Sequence, residues 1–451
     1  MSMPKINIFE HSGHLAMFNG QDMSLKLLPF KTNHSLVGNH DHISQKTLNA
    51  QQVLFQIQES FGNLTQHHTS YKIRRDTDMD CLPPLDRLTL NISNICNMNC
   101  KYCYAGGGTY YTSGILMDRK TALNAINYVF RNFSEIRNVN FFGGEPTLNK
   151  PIVELICGYI LYLYDHGIFK RLPIFSLTTN GYVIDRHMFE IINKYGFRVS
   201  ISLDGPKEIH DRLRIDKSLK GTYDAIEKNI KALIDKGIKP EFECTYTNEH
   251  ERCGFNLIAL MDYFYDNFDC HVLHCPIVVA GPDTPWFVPI ESCLELYADA
   301  IRYSIKNLAQ NIPKSISIAA RLLNSMSTKS PICHYCPAGQ STITINADGN
   351  VYACFMLMHG PEFCMGNVNK QEDEKRQSYL IDALIKNADK QQNPACQNCW
   401  AQPLCYGCIG DDFQREGYKI FRSEISGQSD LCDFKRSINE IFLKSITESY
   451  F

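Results

Sequence analysis

Nineteen cysteines in a chain of 451 residues, most of them in two groups, constrain the fold more than any other feature of this sequence. Three stand together at Cys96, Cys100 and Cys103, and nine follow residue 332. The other seven (Cys81, Cys157, Cys244, Cys253, Cys270, Cys275 and Cys293) are scattered singly and read as small buried hydrophobes. The opening MSMPKINIFEHSGH has no basic start, apolar stretch or small-residue cleavage site, so a cytoplasmic, reducing location is expected. There, grouped thiols are metal or redox ligands rather than a disulfide framework. No segment approaches the ~18 uninterrupted apolar residues of a membrane span. With 45 basic against 48 acidic side chains, the charge near −3 excludes a globally basic nucleic-acid binder.

Three regions follow from the patterning. Residues 1–80 hold short apolar runs, Ile6–Phe9, Leu15–Phe18 and Leu25–Phe30, with Asn19-Gly20 as a hairpin signal. Ser44 is placed to cap a helix carrying Leu54, Ile57 and Phe61 and ending at Gly62, and the polar stretch His67–Asp80 reads as a linker. This is a small α+β domain. Residues 85–312 alternate strand and helix patterns. Strands are expected at Leu88–Ser93, Val139–Phe142, Ile174–Thr178, Arg198–Leu203, Glu241–Tyr246 and Val272–Val279, with helices such as Arg119–Asn132, Asp185–Tyr195 and Tyr223–Lys236 between them. That order implies an α/β fold with a parallel sheet, either a partial (β/α)6 TIM-like barrel or an open sheet, with ligands at the C-terminal strand ends. Residues 330–451 are loop-rich apart from helices near Gln377–Ala388 and Asp433–Thr447, and many cysteines with few apolar runs suggest bound metal in place of a core.

Chemistry concentrates after the first two barrel strands. Cys96-x3-Cys100-x2-Cys103 can hold three corners of a cubane cluster and leave one iron open. Zinc is the alternative, but structural zinc takes four ligands, and no other Cys or His lies within ten residues of the trio. Phe141-Phe142-Gly143-Gly144-Glu145-Pro146 ends the second strand; its glycines permit close backbone approach and its carboxylate suits an ammonium group, although Gly-Gly-Glu also occurs as an ordinary turn.

Together these motifs resemble the radical S-adenosylmethionine enzymes, from Leu88 to the C-terminus, with Tyr102 as the aromatic residue before the last cysteine. The resemblance implies a [4Fe–4S] cluster on Cys96, Cys100 and Cys103 whose open iron is chelated by the amino and carboxyl groups of S-adenosylmethionine. One electron then yields a 5′-deoxyadenosyl radical that abstracts hydrogen from the substrate. By the same resemblance, Gly143, Gly144 and Glu145 hold the methionine amino group and Ser202 contacts the ribose. Thr179 and Asn180 face the same cavity, and Arg214 meets the cofactor carboxylate. Capping or turn hydrogen bonding is the other reading for Ser202, Thr179 and Asn180.

The C-terminal pattern Cys336-x12-Gly349-x4-Cys354, then Cys396-x2-Cys399-x5-Cys405-x2-Cys408 and Cys432, resembles a SPASM domain with two auxiliary clusters, departing from the family at the two-residue gap before Cys408. The family pattern implies Cys396, Cys399, Cys405 and Cys432 at an outer cluster, and Cys333, Cys336, Cys354 and Cys408 at an inner one. Cys364 is then spare, and an inner cluster without Cys333 would have an iron open to a substrate thiol. Three [4Fe–4S] clusters are therefore expected in all. Paired zinc ribbons are the alternative.

Within that group, sulfatase-maturing enzymes place a basic aspartate directly after the cysteine of Asp348-Gly349-Asn350-Val351-Tyr352-Ala353-Cys354; here Phe355 follows, which disfavours formylglycine formation. Cys103-Tyr-Ala-Gly-Gly-Gly-Thr-Tyr-Tyr111 and Cys336-Pro-Ala-Gly339 resemble maturases that form thioethers. The expectation is a maturase that crosslinks a ribosomally made precursor peptide, most simply through a thioether, served by a low-potential donor such as flavodoxin or ferredoxin. Residues 1–80 then either dock the peptide's leader by strand addition, in a winged-helix-like manner, or pack on the barrel. Carbon–carbon or ether crosslinking on the same scaffold, and a non-catalytic zinc or redox interaction protein, are the competing readings.

Overall fold

The computed structural model describes residues 6–11, 14–28, 82–168, 171–281, 283–370, 388–411 and 430–450, together with 382, 385 and 386. The expected helix after Ser44, the linker at 67–80 and most of the helix at 377–388 lie outside the described residues.

The barrel is built from short strands in which apolar residues recur at near-alternate positions. β4 (Arg87–Ser93) is buried from Leu88 to Ser93, the mark of a parallel strand covered on both faces. β5 (Asn138–Gly143), β6 (Ile174–Thr179), β7 (Arg198–Ser202) and β8 (Glu241–Glu243) follow it side by side in chain order, all parallel. A helix crosses over between successive strands, and its ends are set by sequence. Asp118 caps the helix Arg119–Asn132 through the Thr121 N–H at 2.7 Å, and Ala122, Ala125, Ile126 and Val129 turn one face inward. Asp185 caps Arg186–Tyr195, which stops at Gly196 with φ 62°. The sixth strand is shorter than its apolar run suggests. β9 covers Val272–Leu273, and the array continues past β8 through single parallel bridges, Glu243 to His274 and Tyr246 to Ile277. β9 also pairs with β10 (Ser315–Ile316). The result is a partial barrel.

The C-terminal region departs from expectation. It contributes β11 (Thr342–Asn346), β12 (Asn350–Tyr352) and β13 (Cys364–Asn367), a meander that extends the barrel sheet on the far side of β4. β11 runs parallel to β4, with Ile343 opposite Leu88 and Ile345 opposite Leu90. Asn91 seals this seam: its buried amide donates to Asn94 Oδ1 and to Asn346 Oδ1, each at 2.7 Å. Thr342–Asn346 alternates Thr and Ile over four residues before ending in Asn, a strand pattern hidden among cysteines.

Near the N-terminus, β1 (Ile6–His11), β2 (His14–Asn19) and β3 (Ser24–Leu28) form the antiparallel sheet signalled by Asn19-Gly20. Phe9, Ala16, Phe18 and Met23 are buried in one continuous core with the barrel and with Ile438, Phe442 and Leu443 of the helix Asp430–Tyr450. The Phe18 ring meets Trp400 edge-on at 6.5 Å. This sheet therefore packs on the cysteine-rich region.

Since Ile345 is fully buried between β4 and β12, Ile345→Ala should cost about 2–5 kcal/mol. It should also lower the denaturation midpoint of the whole chain in one transition. A barrel that unfolds at its parental midpoint in this variant would show that β11 is an appendage.

Candidate functional site

The loop after β4 carries the first cysteine group over the C-terminal ends of the strands. It is stitched in place by main-chain bonds: Asn99 N–H to Ile215 O at 2.7 Å and Lys101 N–H to Leu213 O at 2.9 Å. Cys96 Sγ accepts from the Met98 N–H at 3.4 Å and from Asn180 Nδ2 at 3.6 Å. Packing around it is close enough to require glycine. A Cβ on Gly144 would fall 2.5 Å from Ile95 O, and one on Gly108 (φ 89°) would fall 2.7 Å from both Cys96 Cβ and Gly144 Cα. The two glycines after β5 thus let that strand's end and the cysteine loop share one small volume.

Burial pushes the Cys100 thiol up to about 12, with Arg214 pulling the other way and Cys103 and Cys96 adding to the rise. Cys96 is raised by burial, then by the Glu145 charge, and Cys103 is among the contributors. Three half-buried thiols that feel one another's charge, on a loop with fixed main-chain geometry, fit a cluster held at three corners. Bound iron would reverse the burial penalty and deprotonate them.

A buried charged network stands behind the loop. Tyr102 Oη donates to Asp204 Oδ2 at 2.5 Å and accepts from Arg214 Nη1 at 2.9 Å. Asp204 and His210 are fully buried, and Arg214 is nearly so. His210 Nδ1 accepts the Asp204 N–H at 3.2 Å, which leaves its Nε2–H to donate to Thr222 Oγ1 at 3.0 Å; Thr222 in turn donates to Arg214 O at 2.8 Å. Burial, then the Arg214 charge, holds the His210 imidazole well below its ordinary range. The Arg214 Nε is buried with no hydrogen-bond acceptor among the described residues, which fits a bound anionic group beside Tyr102. Asp204 lies inside the Ser-Ile-Ser-Leu-Asp-Gly-Pro segment, but sequence reading singled out Ser202. A carboxylate two residues beyond a strand end carries no signal until its tyrosine and arginine are known.

Glu145 is fully buried and already engaged. Its Oε1 accepts from Thr179 Oγ1 at 2.7 Å and Thr147 N at 3.0 Å, and its Oε2 accepts from Asn180 N at 2.8 Å. Burial raises its pKa against those three bonds. The carboxylate therefore clamps the end of β5 to the end of β6. Thr179 also caps its own turn through the Gly181 N–H at 3.1 Å, and Asn180 Nδ2 reaches Asn97 Oδ1 at 2.8 Å. Both residues show the turn bonding that was the alternative reading, while Asn180 touches the cysteine loop as well. Ser202 ends β7 half-buried, beside Glu243.

The C-terminal cysteines separate into two groups. Burial, then the Cys336 charge, raises the Cys354 pKa, and burial, then the charges of Asp411, Cys354 and Cys336, raises that of Cys408. In a second group burial raises Cys396 and Cys405, and the charges of Cys399 and Cys432 add to the rise in both. Cys333 Sγ donates to Pro331 O and Cys364 Sγ to Gly366 O, at 3.5 and 3.2 Å. The donor chemistry of both groups fits iron–sulfur ligation.

Aromatic rings fill the space between the first trio and the inner one. Phe142 lies 4.6 Å from Phe355, and Phe355 lies 6.5 Å from Tyr104, whose hydroxyl pairs with that of Tyr110 at 3.4 Å. The charges of Cys103 and Cys354 both bear on each of these tyrosines. From the sequence, Phe355 is singled out, while Tyr104 and Tyr110 enter only as members of the Cys103–Tyr111 run, with no role of their own, since aromatic residues in a glycine-rich loop look like packing.

Two family models match the chain: the Radical SAM superfamily over residues 90–248 and the iron–sulfur cluster-binding SPASM domain over residues 336–400. A cysteine-type anaerobic sulfatase-maturating enzyme of Clostridium perfringens is 31% identical over 178 residues, 38% of this chain and 46% of that one. A radical SAM cyclopropyl synthase, TigE, of Paramaledivibacter caminithermalis is 30% identical over 185 residues, 38% of this chain and 37% of that one. The matched part thus spans less than half the length of these curated relatives. The fold is shared more widely. The structure of native anSMEcpe with bound AdoMet superposes with a TM-score of 0.65 at 21% identity, covering 81% of this chain and 98% of that one.

The network behind Tyr102 yields a pH dependence. An unfolded histidine titrates near about 6.5, and the folded His210 lies below that. Its contribution to stability is complete above about pH 6.5 and is lost as the pH falls toward the folded value. In His210→Gln, the denaturation midpoint should decline less steeply than in the parent between about pH 6.5 and about pH 5. Parallel declines would remove His210 from the account. Asp204→Ala, which leaves Arg214 buried without its carboxylate, should cost about 3–5 kcal/mol at neutral pH.

Proposed function

We propose that this chain, which carries a Radical SAM superfamily domain and an iron–sulfur cluster-binding SPASM domain, is a maturase that crosslinks a ribosomally made precursor peptide through a thioether from a cysteine sulfur to carbon. The observation that carries the reading is the packing of Phe355 against Phe142, with ring centroids 4.6 Å apart and the planes tilted by 33°. The position directly after Cys354 holds an aromatic ring, so it offers no carboxylate to take a proton from a substrate residue. An apolar wall between two thiol groups suits instead the alignment of a peptide thiol with a carbon site.

When bound, S-adenosylmethionine and a [4Fe–4S] cluster supply a 5′-deoxyadenosyl radical that takes a hydrogen atom from the substrate. The protein's residues hold and orient. Cys96, Cys100 and Cys103 would ligate the cluster, and Arg214, fixed by Tyr102 and Asp204, would meet the cofactor carboxylate. Gly143 and Gly144 would present main chain to its amino group, with Glu145 holding that backbone in place. Ser202, Thr179 and Asn180 would line the same cavity. Cys336, Cys354 and Cys408, with Cys333, would hold the inner auxiliary cluster, and Cys396, Cys399, Cys405 and Cys432 the outer one.

A leader segment fits the edge of the N-terminal sheet, where β1 has no neighbouring strand on its outer side among the described residues. β1 is an edge strand, and Ile6 and Ile8 are 40% and 56% exposed along it, so an added strand would gain main-chain bonds and cover two apolar side chains. A flavodoxin or ferredoxin would supply the electron.

The test is anaerobic reaction of the reconstituted enzyme with a cysteine-containing peptide encoded beside its gene. A thioether appears as loss of two hydrogens together with one thiol that no longer alkylates. Formylglycine in place of cysteine, or a link between two carbon atoms with every thiol still reactive, would overturn the reading. Separately, Cys100→Ala should abolish 5′-deoxyadenosine formation while the fold persists. Undiminished formation would remove the first cysteine group from the chemistry.

A further inference from the structure

Lysine is almost never fully buried, yet Lys390 is 1% exposed. Its Nζ donates to the carbonyl oxygens of Gln402 and Cys405, each at 2.6 Å. Both acceptors belong to the loop that carries Cys399 and Cys405, so the ammonium lies within the outer cysteine group. Its charge bears on the Cys396 and Cys405 thiols. Lys435, on the helix that delivers Cys432, bears on Cys405 as well, and Arg436 hydrogen-bonds Cys399. The inner trio has neighbours of both signs. The Asp411 N–H donates to Cys408 Sγ at 3.5 Å, and the Asp411 carboxylate bears on Cys408 and Cys354. Arg87 acts in the opposite sense on Cys354.

Cluster potentials are set by net charge, hydrogen bonding and exposure, and groups just outside the ligands tune the metal they surround. A buried cation is screened little by solvent, and it favours whichever state carries one more electron. We propose that Lys390, assisted by Lys435, makes the outer cysteine group the more easily reduced of the two auxiliary sites, so that an electron collected at the inner group passes outward. In that transfer one electron leaves a reduced inner cluster and reduces an oxidised outer one, with no bond or proton exchanged. The inference rests on the cluster reading given under the proposed function.

The experiment uses the full chain with Cys96, Cys100 and Cys103 replaced by alanine, so that auxiliary iron alone is titrated. Reductive titration is followed by electron paramagnetic resonance, with iron counted in every sample. Two midpoints are expected in that background. Lys390→Met should lower the higher one, Lys390→Arg should keep it near its original value, and Lys435→Gln should lower it by a smaller amount. An iron-replete Lys390→Met whose higher midpoint is unmoved overturns the inference. If Lys390→Met fails to retain iron, the half-buried Lys435 decides, and an unmoved higher midpoint in Lys435→Gln overturns the inference equally. Absence of auxiliary iron from the parent overturns the cluster reading itself, and this inference with it.

Discussion

A buried arginine determines how the site is assembled. Arg214 brings a permanent charge to a place where water cannot solvate it, and such a charge is tolerated only when its surroundings answer it. Tyr102 and Asp204 give that answer on one side. Because Tyr102 lies between Cys100 and Cys103, the bond that neutralises Arg214 also fixes the cysteine loop. Because Asp204 follows β7 and its own amide is read by His210, the loop is tied to the strand ends opposite. His250 completes the arrangement by donating from Nε2 to Asp204 O at 3.0 Å. The placement of three thiols therefore depends on polar groups drawn from four segments of the barrel.

The clamp made by Glu145 works on the other half of the rim. It joins β5 to β6 through two hydrogen bonds, from Thr179 and Asn180, and holds its own loop through a third, from Thr147, while the glycines before it allow the cysteine loop to lie against the backbone. These two devices, a charged hinge behind Tyr102 and a carboxylate clamp beneath Gly144, leave the strand ends little freedom to spread. Under the proposed function the site would contain a reactive radical, and that rigidity would keep stray water or a misplaced side chain from quenching it.

Much of this was readable from sequence, and the reason differs by element. The strands of the barrel announce themselves through apolar residues that recur along short runs, as Leu88, Leu90 and Ile92 do, and burial on both faces brings Thr89 and Asn91 inside as well. The crossover helices are marked by Asp118, Asp185 and Gly196 at their ends. The cysteine groups follow from spacing, and the charge of Cys336 bears on Cys354 and Cys408 while those of Cys399 and Cys432 bear on Cys396 and Cys405. What escaped notice depended on partners distant in the chain. β11 looks like a loop among cysteines until β4 is placed beside it, Asp204 looks like a turn residue until Tyr102 and Arg214 arrive, and Lys390 looks like any surface lysine. Glu145 was legible as important but not in its role, because a buried carboxylate's bonds to Thr179 and Asn180 are a matter of three dimensions.

The parallel pairing of β11 with β4 has a consequence for how the protein is made. Asn91 finds its amide partner in Asn346, 255 residues later in the chain, so during synthesis the first barrel strand leaves the ribosome long before its outer neighbour exists. At about 5–20 residues per second that interval is tens of seconds. Throughout it, one edge of a growing apolar sheet is uncovered, the condition under which nascent chains mispair with one another. The cysteine-rich segment thus acts as a late-arriving cover for the barrel as well as a scaffold for metal. A cell that produces this protein faster than it supplies that final segment, or the iron to organise it, would accumulate chains with a barrel begun but not closed.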